Sequence, residues 1–223
     1  MCLIVLAWRV DRERPLIVAA NRDEFHARPA APAAFWEDHP GILAGRDLEA
    51  GGTWMGVSRS GRFAAVTNYR GGRDPDARES RGILVSRFLL QNASPGKFFS
   101  EVKPSIYSGF NLLASDGDEL WVLSNRDGGA RKLEPGIYGL GNLLLDTPDV
   151  DAPKKAFEKI LPGPAPETLL QLLTLWKIVA PEYGTRCSTV LVSNGGSMSY
   201  AERPFDTAGT ESATARYEFQ VRR

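Results

Sequence analysis

The first residue of chemical interest is Cys2. Cysteine is small enough at this place for removal of the initiator Met1, which would leave it as the first residue of the chain. It would then hold a nucleophilic sulfur together with a free α-amine, whose ordinary pKa of about 7.7–8.0 suits a built-in base. The alternative is a small apolar residue on an edge strand, because cysteine is buried as readily as an aliphatic residue. A second polar concentration, Asn21-Arg22-Asp23-Glu24, directly follows the apolar run at 16–20. It reads as a strand end passing into a solvated turn, although an arginine beside two carboxylates can also orient a nucleophile. On alternating strand geometry Arg22 and Asp23 point to opposite faces, so at most one of them is expected to reach Cys2.

Other chemistries find little support. The chain has two cysteines, Cys2 and Cys187, and two histidines, His26 and His39, at spacings that make neither a disulfide framework nor a zinc motif. Cys187 is expected to be inert core and His26 a loop residue, with no metal and no cofactor. Gly51-Gly52 and Gly71-Gly72 lack the spacing of a phosphate cradle and read as turns beside a pocket. Trp36, Trp54 and Tyr69 are either core residues or the lining of an apolar pocket. Lysine plus arginine (27) balance aspartate plus glutamate (27), which leaves no charge surplus for nucleic acid or an anionic membrane and favours small-molecule partners. The apolar start ends at Arg9, too short for a spanning helix and without a basic leader, so the expectation is a soluble cytoplasmic protein with no membrane insertion.

The motifs run in a recognisable order: the Met-Cys start, Asn21-Arg22-Asp23-Glu24, Arg28-Pro29, Ala44-Gly45-Arg46-Asp47, Gly51-Gly52-Thr53-Trp54-Met55-Gly56 and Val66-Thr67-Asn68-Tyr69-Arg70. Tyr138-Gly139-Leu140-Gly141-Asn142, Leu144-Leu145-Asp146-Thr147-Pro148 and Tyr183-Gly184-Thr185-Arg186 follow. This series resembles the NRDE, or transport and Golgi organisation 2, family over nearly the whole chain. The resemblance implies an N-terminal nucleophile (Ntn) hydrolase fold and links to haem trafficking and lipid metabolism. A fainter resemblance is to the cysteine Ntn enzymes that split bile-salt amides and penicillin V. It implies Cys2 as nucleophile, Asp23 as the holder of the cysteine amine, Asn68 and Asn142 as oxyanion donors, and Arg186 as the late arginine. The early arginine of those enzymes precedes the aspartate by three residues, a place held here by Ala20, while Arg22 is the immediate neighbour of Asp23. The chemistry implied is acyl transfer: amide or thioester cleavage through Cys2 on a small apolar-tailed substrate, with Asn21, Arg22, Trp54 and Tyr69 contacting it. The other reading is a carrier that binds haem or an acyl-CoA in the same pocket without turnover.

Positioning these residues calls for a sheet protein. Apolar, β-branched and aromatic runs at 2–8, 16–20, 53–57, 63–68, 109–114, 120–124, 188–192, 197–202 and 217–221 predict strands. Glycine-containing turns at 58–61, 115–118 and 193–196 predict hairpins. Helical spacing occurs near 83–89, 156–160 and 166–176. The expected architecture is α+β, a four-layer αββα sandwich of two mainly antiparallel sheets with helices outside, in one domain over 1–223. The strands at 2–8 and 16–20 should pair as antiparallel neighbours and bring Asp23 to Cys2. With 63–68 running parallel to 16–20 in the same sheet, Asn68 would join them, and Asn142 and Arg186 would close the site.

Overall fold

The computed structural model describes residues 2–71 and 74–222, so Met1 and Gly72, the second glycine of one expected turn, lie outside the described residues. The strands in chain order are β1 (Leu3–Trp8), β2 (Leu16–Phe25), β3 (Ala30–Phe35), β4 (Ile42–Asp47), β5 (Met55–Ser58), β6 (Phe63–Asn68), β7 (Phe110–Ser115), β8 (Leu120–Ser124), β9 (Gly129–Lys132), β10 (Gly136–Leu140), β11 (Tyr183–Ser193), β12 (Ser197–Pro204) and β13 (Ala215–Gln220). The helices are α1 (Gly82–Leu90), α2 (Pro95–Glu101), α3 (Asp151–Glu158) and α4 (Pro166–Thr174). The described residues form two compact units, one from 2–28, Pro135–Gly141 and Leu145–Val221, the other from 29–71, 74–134, Asn142–Leu144 and Arg222.

The first unit is a six-stranded antiparallel sheet in the order β10-β1-β2-β11-β12-β13. Alternate residues Leu3, Val5, Ala7, Ile17, Ala19, Val190 and Ala201 face Phe157, Leu169, Leu170 and Leu173 of α3 and α4. The sheet's period of two meets the helical spacing of 169, 170 and 173 in one apolar layer. Pro166 opens α4 at a position where a missing backbone N–H costs nothing.

The second unit is a seven-stranded meander, β3 to β9 in sequence order, with every neighbour antiparallel. Ala64, Val66, Phe110, Leu112 and Ala114 of its strands pack with Leu84, Val85, Phe88, Phe98 and Phe99 of α1 and α2. Ser94 caps α2 by accepting from the Lys97 N–H. Among the described residues no helix is long and apolar enough to cross a membrane.

The α+β class and the expected hairpins hold. Gly61, Gly117 and Gly195 of the three expected turns have φ of 87°, 93° and 80°. Three expectations change. Strands β3, β4, β9 and β10 and helix α2 carry little β-branched or periodic signal, and pairing in the sheet, or packing for α2, overrides local propensity. The block Asn21 to Glu24 does not end a strand, because β2 continues through it to Phe25. The strand at 63–68 is in the other sheet and antiparallel to both neighbours, because β3 to β6 pair in sequence as a meander instead of crossing back to β2.

The Gly-Gly-Thr-Trp run has a packing reason. The Thr53 N–H donates to the Gly82 carbonyl at the start of α1 at 3.2 Å, and a Cβ on Gly52 would lie 2.5 Å from the Gly82 carbonyl carbon. Main chain sits against main chain, and no side chain can rotate away. Gly52→Ala should therefore cost about 1–3 kcal/mol of stability, read as a lower midpoint in urea unfolding.

Candidate functional site

β1 and β2 pair antiparallel with Leu3 opposite Asn21, which carries Cys2 to the end of β2. The Cys2 thiol donates to the Asp23 main-chain carbonyl at 3.5 Å. Leu3 with Asn21 is the first pair of that ladder, so Cys2 precedes it on the Arg22 side, and Arg22 is paired with Cys187 of β11. Cys2, Arg22 and Cys187 thus form a row on one face of the sheet, while Asn21 and Asp23 belong to the opposite, helix-covered face.

That opposite face holds a buried polar cluster. Asn21 donates through Nδ2 to the Leu173 carbonyl at the end of α4 (3.0 Å), and its Oδ1 accepts from the Ser188 hydroxyl (2.7 Å). Asp23 Oδ1 accepts from the Thr185 hydroxyl at 2.6 Å. Asn21 and Asp23 are two residues apart on β2, whereas Ser188 and Thr185 are three apart on β11. A bulge between Thr185 and Cys187 absorbs the extra residue, so both hydroxyls arrive on one face. The residue left over is Arg186. Its Nη1 donates to the carbonyls of Phe25 (3.1 Å), His26 (3.0 Å) and Arg28 (3.5 Å) and closes the turn that follows β2. His26 Nε2 lies 3.0 Å from the Ala180 carbonyl and ties the same turn to the approach to β11.

Burial pushes the Cys2 thiol up to about 11, and the Asp23 carboxylate adds to the rise, with Arg22 opposing it. Cys187 is pushed well up by burial and by Glu202, in keeping with an inert core thiol. Tyr183 is raised by burial first, then by negative charge at Cys2, Asp23 and Glu24. Its ring meets Phe25 edge-on at 5.3 Å, and Phe25 is 57 % exposed, an apolar surface next to the polar row. Arg22 is buried, with Nη2 3.8 Å from Glu24 Oε2.

The remaining candidates belong to the second unit. Asn142 donates through Nδ2 to the Asn68 carbonyl (2.7 Å), and its own carbonyl accepts from the Arg70 N–H (2.6 Å), so the two asparagines meet each other at the end of β6. Tyr69 and Trp54 are half-buried, Tyr69 giving its N–H to the Gly109 carbonyl and Trp54 taking the Val66 N–H on its carbonyl. Trp36 is buried, donates to the Ala44 carbonyl (3.1 Å) and carries the Arg46 guanidinium over its ring. A cleft of about 420 Å³ in this unit is lined by residues including Leu84, Arg87, Phe98, Val102, Ile106 and Tyr107, and by none of the sequence-derived candidates. The structure thus gathers the candidates in two groups: Cys2, Asn21, Arg22, Asp23 and Arg186 on β1, β2 and β11, and Asn68, Tyr69 and Asn142 around the end of β6.

Thr185, Ser188 and Tyr183 are absent from the sequence-derived candidates. Tyr183 and Thr185 stand in the Tyr-Gly-Thr-Arg run, of which Arg186 alone is a candidate, and Ser188 is signalled only as a hydroxyl in an otherwise apolar strand. Asn21→Ala strands the Ser188 hydroxyl and removes one bond from the Leu173 carbonyl, which keeps the Trp176 N–H, and should cost about 1–3 kcal/mol in denaturant unfolding. Ser188→Ala removes one of the two Asn21 side-chain bonds instead of both and should cost less.

The model of the Transport and Golgi organisation 2 family matches residues 1–180. Among curated relatives, the Transport and Golgi organization protein 2 homolog of Bos taurus is 35 % identical over 257 residues, with 92 % of each chain covered. The Mus musculus homolog is 36 % identical over 258 residues with the same coverage. Among solved structures, the Caenorhabditis elegans ortholog of N-acylethanolamine-hydrolyzing acid amidase has a TM-score of 0.58 at 12 % identity, covering 87 % of this chain and 93 % of that one. The C2A mutant of the conjugated bile acid hydrolase from Clostridium perfringens has a TM-score of 0.54 at 8 % identity, covering 98 % and 92 %. At such identities the likeness is one of fold, and that fold is Ntn-hydrolase-like. The chain belongs to the Transport and Golgi organisation 2 family.

Proposed function

We propose that the protein is a cysteine Ntn hydrolase that cleaves an amide or thioester bond of a small apolar-tailed substrate through Cys2. The observation that carries this reading is the thiol of Cys2, just before β1, bonded to the Asp23 main chain of β2. With Met1 attached, a thiol near 11 is ionised in roughly 0.03 % of molecules at pH 7.5 and is a poor nucleophile. Removal of Met1 changes this. The Cys2 amine becomes the chain terminus, next to the Asp23 segment, and can take the thiol proton.

The sulfur then attacks the carbonyl carbon. The oxyanion collapses, the amine or thiol leaving group takes the proton held by the α-ammonium, and a thioester to Cys2 remains. Water adds to that thioester with the amine as base, releasing the acid and restoring the thiol. No cofactor enters the cycle. Phe25 and Tyr183 provide the apolar contact that an acyl tail would use.

Two measurements test the proposal. Intact mass of the protein made in cells should correspond to a chain beginning at Cys2. In a panel of N-acyl amides and acyl thioesters the Met1-free protein should turn over at least one class and form a covalent acyl adduct on Cys2, and Cys2→Ala should abolish both. Cys2→Ala with undiminished turnover would sink the nucleophile. Stoichiometric binding of haem or acyl-CoA with no turnover would leave the carrier role, with its place in haem trafficking or lipid metabolism.

The pH dependence gives a further check. Iodoacetamide labelling of Cys2 in the Met1-retaining chain should rise only as pH approaches about 11, whereas the Met1-free chain should label readily at neutral pH. Cys187 should stay unlabelled in both while the fold is intact.

A further inference from the structure

We infer that Thr185 is a positioning residue for the nucleophile, holding the Asp23 carboxylate in the orientation that receives the Cys2 α-ammonium. This rests on the Ntn-hydrolase reading above and names a residue that reading does not need. The hydroxyl has a defined polarity. The Ile178 N–H donates to Thr185 Oγ1 at 2.8 Å, so the lone hydroxyl proton is directed to Asp23 Oδ1 at 2.6 Å. A hydroxyl–carboxylate contact this short is typical of a charge-assisted bond. The bond has little freedom to rotate, because the Thr185 N–H also donates to the Ile178 carbonyl at 2.9 Å and the main chain is clamped from both sides.

The pairing is cross-strand. Thr185 is the register partner of Asp23 and is buried with it, so the contact forms in a water-poor layer where its geometry persists. Fixing one oxygen of a carboxylate fixes the plane of the group and hence the direction of the other. Asp23 is also the residue whose main-chain carbonyl takes the Cys2 thiol at 3.5 Å, which places it beside the residue that would carry the α-ammonium. The carboxylate opposes the thiolate but, held towards the amine, stabilises the α-ammonium more, and thereby favours the state in which the thiol proton has moved to the amine. Release of that carboxylate lowers the population of the thiolate–ammonium pair.

The test uses the Met1-free full chain and iodoacetamide as the probe, with labelling of Cys2 followed by mass across pH 5 to 11. Arg22 of β2 and Tyr183 of β11 also interact with Cys2, and Glu24 acts on Tyr183; all three are unchanged in every variant. Thr185→Val keeps the shape and removes the hydroxyl. It should slow labelling at neutral pH about tenfold, the effect of moving the titration midpoint up by one unit, and Thr185→Ser should restore the native profile. A native midpoint in a folded Thr185→Val, or a Thr185→Ser as impaired as Thr185→Val, overturns the inference, since a purely structural role tracks stability and not the pH midpoint. Should Thr185→Val fail to fold, Thr185→Ala, which leaves room for a water beside Ile178, takes its place in the same comparison. A native Cys2 that labels no faster than an ordinary thiol overturns both this inference and the nucleophile itself. Fast native labelling with an unchanged variant overturns this inference alone.

Discussion

Two polar side chains on the buried face of one strand, Asn21 and Asp23, set a condition that the first unit has to satisfy. Each would lose about 1–3 kcal/mol if buried without a partner, a large share of the stability of an ordinary domain. β11 supplies a hydroxyl to each, Ser188 to Asn21 and Thr185 to Asp23, and α4 ends where its Leu173 carbonyl can take the remaining amide donor. Strict alternation would put Ser188 and Thr185 on opposite faces. The bulge at Arg186 resolves the parity, and the displaced arginine then anchors the turn beyond β2. One irregularity in a strand therefore satisfies two buried groups and a turn.

The other motif runs divide along similar lines. Asp146 adopts a left-handed φ of 59°, accepts the Gly139 N–H at 2.8 Å and donates its own N–H back to the Gly139 carbonyl, so Leu-Leu-Asp-Thr-Pro fastens the end of β10. Arg46 pairs with Asp38 through two bonds of 2.6 and 2.7 Å while lying over Trp36, which gives the Ala-Gly-Arg-Asp run a role in holding the start of the meander. These contacts are main-chain clips and aromatic lids. The chemistry-bearing residues Cys2 and Asp23 stand apart from them, at the start of β1 and within β2 of the six-stranded sheet.

How far the residues could be read depended on how local their partners are. The hairpin of β1 with β2 was legible because an apolar run, a short polar connection and a second apolar run determine antiparallel neighbours without distant information. The three glycine turns were legible for the same reason. Asn21 to Glu24 was not, because four polar residues in a row look like solvent-facing turn, and the hydroxyls that let them remain in a strand are about 160 positions away. Asn142 illustrates the same limit: its residue type fits an oxyanion donor, but its bond to the Asn68 carbonyl is visible only once residues 68 and 142 are side by side. β3 escaped notice because Ala-Ala-Pro-Ala-Ala-Phe has almost no strand propensity and is a strand only by virtue of β4.

The separation between these partners has a consequence for how the chain is made. The contact from Asp23 to Thr185 spans 162 residues and that from Asn21 to Ser188 spans 167. On a ribosome adding about 5–20 residues per second, β1 and β2 emerge many seconds before β11 exists, and loop closure over such a distance is slow even afterwards. Through that interval the nascent hairpin presents an apolar face interrupted by a carboxamide and a carboxylate with no bonding partners from β11, a surface that resists premature collapse because burying it would orphan both groups. The same polar pair that the finished sheet encloses thus keeps the unfinished one open to water until the strand that completes it has been synthesised.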